Sequence, residues 1–251
     1  MLKLTKLILL MLLLLGAAHK SILSAEANFN LLSAETDFAD LIVGADVKLD
    51  LNDRVTAEQY LVQADQILSE HPNINIFLKG HFNKVYGKLY MTQDSTIALQ
   101  YFNTAFSQFS GNIIEQAESK MFTGITYYHA GNYVLAKNYF EEAKATFDSR
   151  GDMQKSAQAL NNLGVLYYRQ GDMQNAQIFC QNSLNINTEL GQRLNVIRNQ
   201  HNLAVITGND PSGLNLTAAL EMEAVGGTGT GSGSTITTSG SGTVVVPPPG
   251  G

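Results

Sequence analysis

The side chains that could ligate a metal ion are few and scattered in this sequence. Five histidines occur in 251 residues, and none of them forms the His-x-x-x-His spacing that places two imidazoles on one face of a helix. The acidic segment with Asp46, Asp50, Asn52 and Asp53 lacks the glycine and the twelfth-position glutamate of a calcium-binding loop, and we expect a solvated loop there. The sequence therefore predicts neither a metal site nor a cofactor.

Candidate nucleophiles are equally isolated. Cys180 is the only cysteine, and it lies on the apolar stripe of a predicted helix, where a buried and inert thiol is expected. Gly229, Gly231 and Gly233 resemble a phosphate-binding loop only superficially, because no strand precedes them and no helix follows. No Ser/His/Asp, Cys/His or paired-carboxylate arrangement can be assembled from the pattern. We predict that the protein is not an enzyme.

The charge balance excludes one large class of partner. The formal net charge is −6, and the chain has no cluster of basic residues. Nucleic acids and anionic membranes attract strongly basic surfaces, so neither is expected as the main partner.

The first 18 residues have the composition of a secretory signal peptide. Lys3 and Lys6 precede an apolar run from Leu7 to Leu15, and small residues follow as far as Ala18, after which cleavage is expected. An apolar stretch this short falls well below the roughly 20 residues that span a bilayer, so an uncleaved anchor is the weaker alternative. The sequence thus predicts an exported protein, periplasmic or at the cell surface or secreted, without a stable membrane span.

The last residues, 223–251, form a second compositionally distinct segment. From Ala224 onward no residue is charged, and glycine, serine, threonine, valine and proline predominate. Such a segment buries too little apolar surface to offset its ordering entropy, so we predict a flexible, disordered tail. Two β-prone patches, Thr235–Thr238 and Thr243–Val246, could become ordered on a partner's sheet edge or within the protein's own groove.

Between these ends the sequence repeats itself in steps of 40 residues. Apolar residues within each repeat recur every three or four positions, as on one face of an α-helix. A period of this size is typical of stacked helix-turn-helix units that bury their apolar faces on their neighbours. The fold class is therefore predicted to be all-α, a solenoid over residues 33–222 whose clearest repeats are 117–150 and 157–190. The matching pairs are Gly124 and Gly164, Tyr127 and Tyr167, Gly131 and Gly171, Ala136 and Ala176, and Gly151 and Gly191.

Helices are also predicted outside the two clearest repeats. One covers Ser33 to Val43, and another covers Thr56 to Glu70, with Thr56 and Gln59 at capping-box spacing. After the repeats, Leu194 to Ile206 is predicted as a further helix, and Leu214 to Met222 as a terminal cap.

The segments Leu163-Gly164-x-x-Tyr167-x-x-x-Gly171-Asp172-x-x-x-Ala176 and Gly124-x-x-Tyr127-x-x-x-Gly131-Asn132 resemble the tetratricopeptide repeat. That resemblance implies a right-handed superhelix of helix pairs that binds proteins or peptides on its concave side. The 40-residue step is similar to the longer repeats of the kinesin light chain type.

In proteins of that type, a ladder of asparagines on successive first helices grips the backbone of an extended peptide. Asn162 and Asn202 occupy the ladder position here, and Phe122 interrupts it in the preceding repeat. A carboxamide suits the role because it offers a donor and an acceptor together. An alternative is that these asparagines only cap or solvate a helix face.

Four further residues are predicted to face the concave side: Tyr128, His129, Tyr168 and Arg169. Aromatic and arginine side chains are enriched at binding hot spots. The sequence therefore predicts an exported, non-enzymatic scaffold that binds a protein or an extended peptide in the concave groove. The alternative function is a structural subunit of a bacterial envelope, pilus or secretion assembly.

Overall fold

The computed structural model describes the backbone of residues 2–209, and within this range it omits the side chains of residues 2–23 and 25. The predicted cap helix Leu214–Met222 and the predicted tail 223–251 lie outside the described residues.

The described part of the chain is entirely helical, as predicted. Nine α-helices and no strand occur between residues 2 and 209. In chain order they are α1 (Leu2–Asp50), α2 (Arg54–Glu70), α3 (Ile76–Tyr90), α4 (Ser95–Gln108), α5 (Ile113–His129), α6 (Tyr133–Arg150), α7 (Met153–Arg169), α8 (Met173–Glu189) and α9 (Arg193–Thr207).

The helices are stacked in two layers. Each odd-numbered helix packs on the even-numbered helix that follows it, and the pairs stack in chain order. Successive odd-numbered helices also pack on each other, whereas successive even-numbered helices make no comparable contact. Because one layer is in closer contact than the other, the stack curves toward the odd-numbered helices. We call the solvent side of that layer the inner face.

Close contact within each pair depends on a glycine of the odd-numbered helix. A Cβ atom added to Gly164 would clash with Cys180 Sγ and would lie 3.0 Å from the backbone nitrogen of Cys180. At Gly124 the same atom would lie 2.7 Å from Cε1 of Phe140. These glycines are therefore the points where the paired helices touch, and buried aromatic rings such as Phe102 and Phe140 fill the space between the layers.

Glycine and a short polar residue end one helix and begin the next. Gly131 has a φ of 76°, in the left-handed region that terminates a helix without strain. The carboxamide of Asn132 then accepts a hydrogen bond from the Leu135 N–H and caps α6. The predicted capping role of Thr56 is wrong: α2 begins earlier, and Asp53 accepts the hydrogen bond from the Thr56 N–H.

The expectation of a solvated acidic loop is also wrong. Asp46 and Asp50 lie within α1, and both carboxylates contact Lys88 of α3. Asp46 is buried. The sequence pattern around the two aspartates did not indicate that a lysine 38 to 42 residues away would pair with them.

The first helix is longer than predicted, since the segment Ser33–Val43 is only part of α1. At about 1.5 Å per residue, the 49 residues of α1 extend roughly 73 Å. Its described buried side chains begin at Ala34, and residues 26–30 are exposed. The C-terminal part of α1 therefore belongs to the helical stack, and residues 26–30 lie outside its core.

No described helix is both long and apolar enough to cross a bilayer. No group of three or more His, Cys, Asp or Glu side chains among the described residues could hold a metal ion.

We expect Gly164→Leu to lower the free energy of unfolding by about 1–3 kcal/mol or more, because the added side chain has no space between α7 and α8. Thermal denaturation followed by circular dichroism measures the effect. Ala145→Leu is the matched control, since Ala145 is exposed on α6 and should change stability by only about 0.5 kcal/mol. Equal melting temperatures for the two variants would contradict the observed packing.

Candidate functional site

The inner face brings together the residues predicted from the repeat pattern. Tyr128 and His129 end α5, and Tyr168 and Arg169 end α7, so the four lie at the same end of adjacent inner helices. His129 and Arg169 are exposed, Tyr168 is half-buried and Tyr128 is buried.

A hydrogen bond joins two of these residues across the repeat. Arg169 Nε donates to the hydroxyl oxygen of Tyr128 at 2.8 Å. The ring of Tyr128 also meets that of His129 edge to face, with centroids 5.3 Å apart. Tyr128 thus orients the exposed guanidinium of Arg169 beside the exposed imidazole of His129. We call the set of Tyr128, His129, Tyr168 and Arg169 the aromatic–arginine cluster.

The electrostatics of this cluster favour one protonation state. Partial desolvation, together with the positive charge of Arg169, lowers the pKa of His129. Burial raises the pKa of Tyr128, although the hydrogen bond from Arg169 opposes that shift. At neutral pH the cluster therefore presents one positive charge, a neutral imidazole and a protonated phenol. Such a set can pair with a carboxylate or with peptide carbonyl groups.

Asn162 and Asn202 are completely buried. Asn202 Nδ2 donates to Asn161 Oδ1 at 2.9 Å, and Asn199 Nδ2 donates to the same oxygen at 2.8 Å. One carboxamide donor of Asn202 therefore binds within the protein. The structure places both predicted ladder residues in the inner layer, but it surrounds them with other groups.

The asparagine contacts extend into a buried polar network between α7, α8 and α9. Asn187 Nδ2 donates to Asn199 Oδ1 at 2.8 Å, and Asn199 Nδ2 also donates to Ser183 Oγ at 2.9 Å. Ser183 Oγ in turn donates to the carbonyl oxygen of Ala157 at 2.6 Å. A shift of α9 along α7 and α8 would leave these buried polar groups without hydrogen-bond partners. The network therefore fixes the register of α9 on the preceding pair. Sequence reasoning missed Asn161, Asn187 and Asn199, although polar residues on a predicted apolar face are a recognisable signal.

A second missed feature is a buried charge cluster on α3, α5 and α7. Lys84 Nζ lies 2.6 Å from Glu118 Oε2 and 3.0 Å from Glu115 Oε2, while Lys155 Nζ lies 3.2 Å from Glu118 Oε1. Burial opposes the charged form of Glu118, but the charges of Lys84 and Lys155 outweigh it and lower the pKa of that carboxyl. Burial likewise opposes the charge of Lys84, and the two glutamates raise its pKa. The two lysines and two glutamates therefore neutralise one another within the protein.

The comparisons with known proteins agree with this architecture. Residues 155–207, which cover most of α7 and all of α8 and α9, match the sequence model of the tetratricopeptide repeat family. No curated protein matches the sequence.

Several solved structures share the fold at low sequence identity. The Rap conjugation gene regulator of plasmid pLS20, solved in complex with the Phr* peptide, aligns at a TM-score of 0.58 and 17% identity, over 73% of this chain and 52% of that protein. A STAND protein with a tetratricopeptide repeat sensor from Pyrococcus horikoshii aligns at 0.53 and 17%, over 77% and 31%. BtubC from P. vanneervenii aligns at 0.51 and 19%, over 81% and 93%. The chain thus spans about a third of the STAND protein and half of the Rap regulator, and identities this low show the fold alone.

Glu118→Gln should lower the free energy of unfolding at pH 7 by about 3–5 kcal/mol, because two lysines then lose a buried carboxylate. The matched control is Glu142→Gln, which removes an exposed pair with Lys120 and should cost only about 0–1 kcal/mol. Denaturant titrations measure both values.

The pH dependence provides an independent check. The pKa of Glu118 is lowered in the folded protein, so its contribution is present above the ordinary value of 4.5 and is lost as the pH falls through the folded value. The difference in unfolding free energy between the wild type and Glu118→Gln should therefore shrink below about pH 4.5. A difference that grows on acidification would contradict this account.

Proposed function

Because this chain is a tetratricopeptide-repeat protein, we propose that it is an exported, non-enzymatic scaffold that binds a protein or an extended peptide on its inner face. The observation that carries the proposal is the aromatic–arginine cluster at the ends of α5 and α7. It combines an exposed guanidinium with three aromatic or imidazole rings, the composition of a binding hot spot.

The geometry of the cluster suits recognition rather than chemistry. The hydrogen bond to Tyr128 engages only Nε of Arg169, and the guanidinium is exposed. Since a guanidinium carries five donors, terminal N–H groups can bind a carboxylate or backbone carbonyl oxygens. Tyr128 holds the arginine in place before a partner binds, so less side-chain entropy is lost on association.

Structures of similar fold support the choice of a peptide or protein as partner. The Rap regulator was solved with a peptide bound, and the STAND protein carries its repeats as a sensor. Solenoids of this kind present a long concave surface that suits an extended chain.

Asn162 and Asn202 stay within the proposed site as the predicted peptide-binding ladder of the kinesin light chain type. Both are buried, so a ligand that contacts them must replace groups that now surround them. A peptide backbone could do so because it offers an N–H and a carbonyl at each residue.

We also propose that residues 1–18 are removed on export. No described buried side chain of α1 precedes Ala34, so cleavage after Ala18 leaves the known core contacts intact. Expression in a bacterial host, followed by intact-mass measurement of the exported protein, should give a mature chain that begins at His19. Exported protein that retains Met1–Ala18 would show that the segment is not a cleaved signal.

Site-specific photocrosslinking tests the proposed binding surface. A photoreactive residue in place of His129 should capture a partner, whereas one in place of Gln181, exposed on outer helix α8, should not. Arg169→Ala should reduce the His129 crosslink at least tenfold, because the guanidinium supplies a charged contact worth about 1.4 kcal/mol or more. Arg150→Ala, a change at an exposed arginine that ends α6, is the matched control and should have no effect.

The same experiment distinguishes the proposed scaffold from the alternative function, a structural subunit of a bacterial envelope, pilus or secretion assembly. Crosslinks that form mainly at Gln181 and are unaffected by Arg169→Ala would favour a structural role for the outer face. They would refute binding through the inner face.

A further inference from the structure

Two rows of side chains along the inner face are buried although none of the described helices lies over them. Each row contains equivalent residues of α5, α7 and α9, spaced 40 residues apart. The first row is Glu118, Gln158 and Arg198, exposed by 2%, 8% and 5%, and the second is Ile125, Val165 and Val205, exposed by 3%, 0% and 7%. We call these six residues the inner rows.

Neighbouring inner helices cover part of these rows, since Lys84 and Lys155 contact Glu118, but no described helix lies over the inner face. Every extensive packing contact joins a helix to one that is one or two places away along the chain, within the two layers. No described helix therefore crosses the inner face. Burial without a covering helix is clearest on α9, the last described helix. Arg198 and Val205 are buried there although no described helix follows α9 in the stack. A long polar side chain in such a position is normally solvated unless another group covers it.

Buried polar atoms without partners lie along the same face. Gln158 Oε1 has no hydrogen-bond donor, and neither ring nitrogen of His81 has a partner, among the described residues. His81 precedes the repeat glycine Gly87 by six residues, as Gln158 precedes Gly164, so both occupy the same position of their repeats. A buried polar group without a partner destabilises the fold, so these atoms indicate a missing polar partner.

The chemistry of these groups fits a peptide backbone. Burial, together with the charge of Lys84, lowers the pKa of His81 to about 3, so at neutral pH its imidazole offers one donor and one acceptor. The side-chain oxygen of Gln158 can accept a backbone N–H. A chain in extended conformation presents alternating N–H and carbonyl groups that match both.

We propose that the occupant is this chain's own C-terminal segment, residues 224–251, which lies along the inner face in extended conformation as a resident ligand. The inference rests on the proposed function, since it assigns the first ligand of the same peptide-binding surface. It makes the tail a competitor that an external partner must displace.

Length and position allow the tail to reach the inner rows. The described chain ends at Asn209, immediately after α9, and 42 residues follow. Neighbouring helices lie about 8–10 Å apart, a distance that about three extended residues cover. The path from α9 to α3 crosses three such steps and needs roughly ten residues. The tail has ample length to pass every inner helix that bears an unpaired group.

The composition of the tail also fits. Residues 224–251 carry no charge, and the ionic groups of Lys84, Lys155, Glu115 and Glu118 already neutralise one another. An uncharged segment can therefore cover them without leaving an unpaired charge behind. Val244, Val245 and Val246 provide apolar side chains for the row of Ile125, Val165 and Val205, and Pro247-Pro248-Pro249 favours an extended backbone.

A synthetic peptide of residues 224–251 with an N-terminal dye tests the proposal by fluorescence anisotropy. It should bind the chain truncated after Met222, which retains all nine described helices. It should bind the full chain at least tenfold more weakly, because a tethered segment competes at an effective concentration in the millimolar range.

Matched substitutions locate the contact within the tail. Val245→Asp in the peptide should weaken binding at least tenfold, since a charge would enter an apolar row. Ser232→Asp adds the same charge in the glycine- and serine-rich part and serves as the control. In the full chain, Val245→Asp should release the inner face, so that the unmodified peptide binds as it binds the truncated chain. A photoreactive residue at Val245 of the peptide should crosslink to α5, α7 or α9.

Several outcomes would overturn the proposal. They are failure of the peptide to bind the truncated chain, equal binding to the full chain, and crosslinking to the outer helices α6 and α8. A full chain that is dimeric by light scattering while the truncated chain is monomeric would place the tail on a second copy. If the peptide fails to bind while Arg169-dependent capture at His129 persists, the tail does not occupy the inner face, but the proposed binding of an external partner stands. If the peptide binds while no external partner is captured, the proposed scaffold function is wrong, but the tail still occupies the inner face.

Discussion

The close approach of paired helices at glycine is the constraint on which the rest of the structure depends. Gly87, Gly124 and Gly164 each lie against a side chain of the following helix, at distances that exclude a Cβ atom. That contact allows a large aromatic ring on one helix to pack against the backbone of the other, and it sets the spacing within each pair. Since the pairs α3–α4, α5–α6 and α7–α8 share this contact, they stack in a similar way and the odd-numbered helices form a continuous inner face.

Packing alone does not specify how one pair sits on the next, and polar groups supply the additional information. The charge cluster of Lys84, Glu115, Glu118 and Lys155 joins α3, α5 and α7, and the asparagine network joins α7, α8 and α9. A shift of one helix along its neighbour would leave these buried groups without partners, and each would then destabilise the fold. The polar groups therefore select one register, while most of the favourable free energy comes from the apolar contacts.

The same polar groups shape the inner face. Because the buried charges of Lys84, Glu115, Glu118 and Lys155 neutralise one another, they add little net charge to the inner face, and the exposed guanidinium of Arg169 lies at one end of it. Such a surface favours a ligand recognised through its backbone and small apolar side chains over one recognised by strong electrostatic attraction. The uncharged tail of the chain has this composition, and this match is one reason why we propose it as a ligand of the inner face.

The sequence by itself determined the helical repeats, the glycine contact at Gly164 and the helix ends at Gly131 and Asn132, because each depends on residues close together in one repeat. It also placed Tyr128 and Arg169 on one surface, since the 40-residue step aligns equivalent positions of adjacent repeats.

Only the tertiary structure decided which polar residues are buried and with which partners. Lys88 pairs with Asp46 and Asp50, and Asn202 binds Asn161, across 38 to 42 residues of sequence. Such pairs depend on the rotation of each helix about its own axis within the stack. A period of 3.6 residues defines which side chains share a face, but it does not fix that rotation closely enough to identify the atoms they meet.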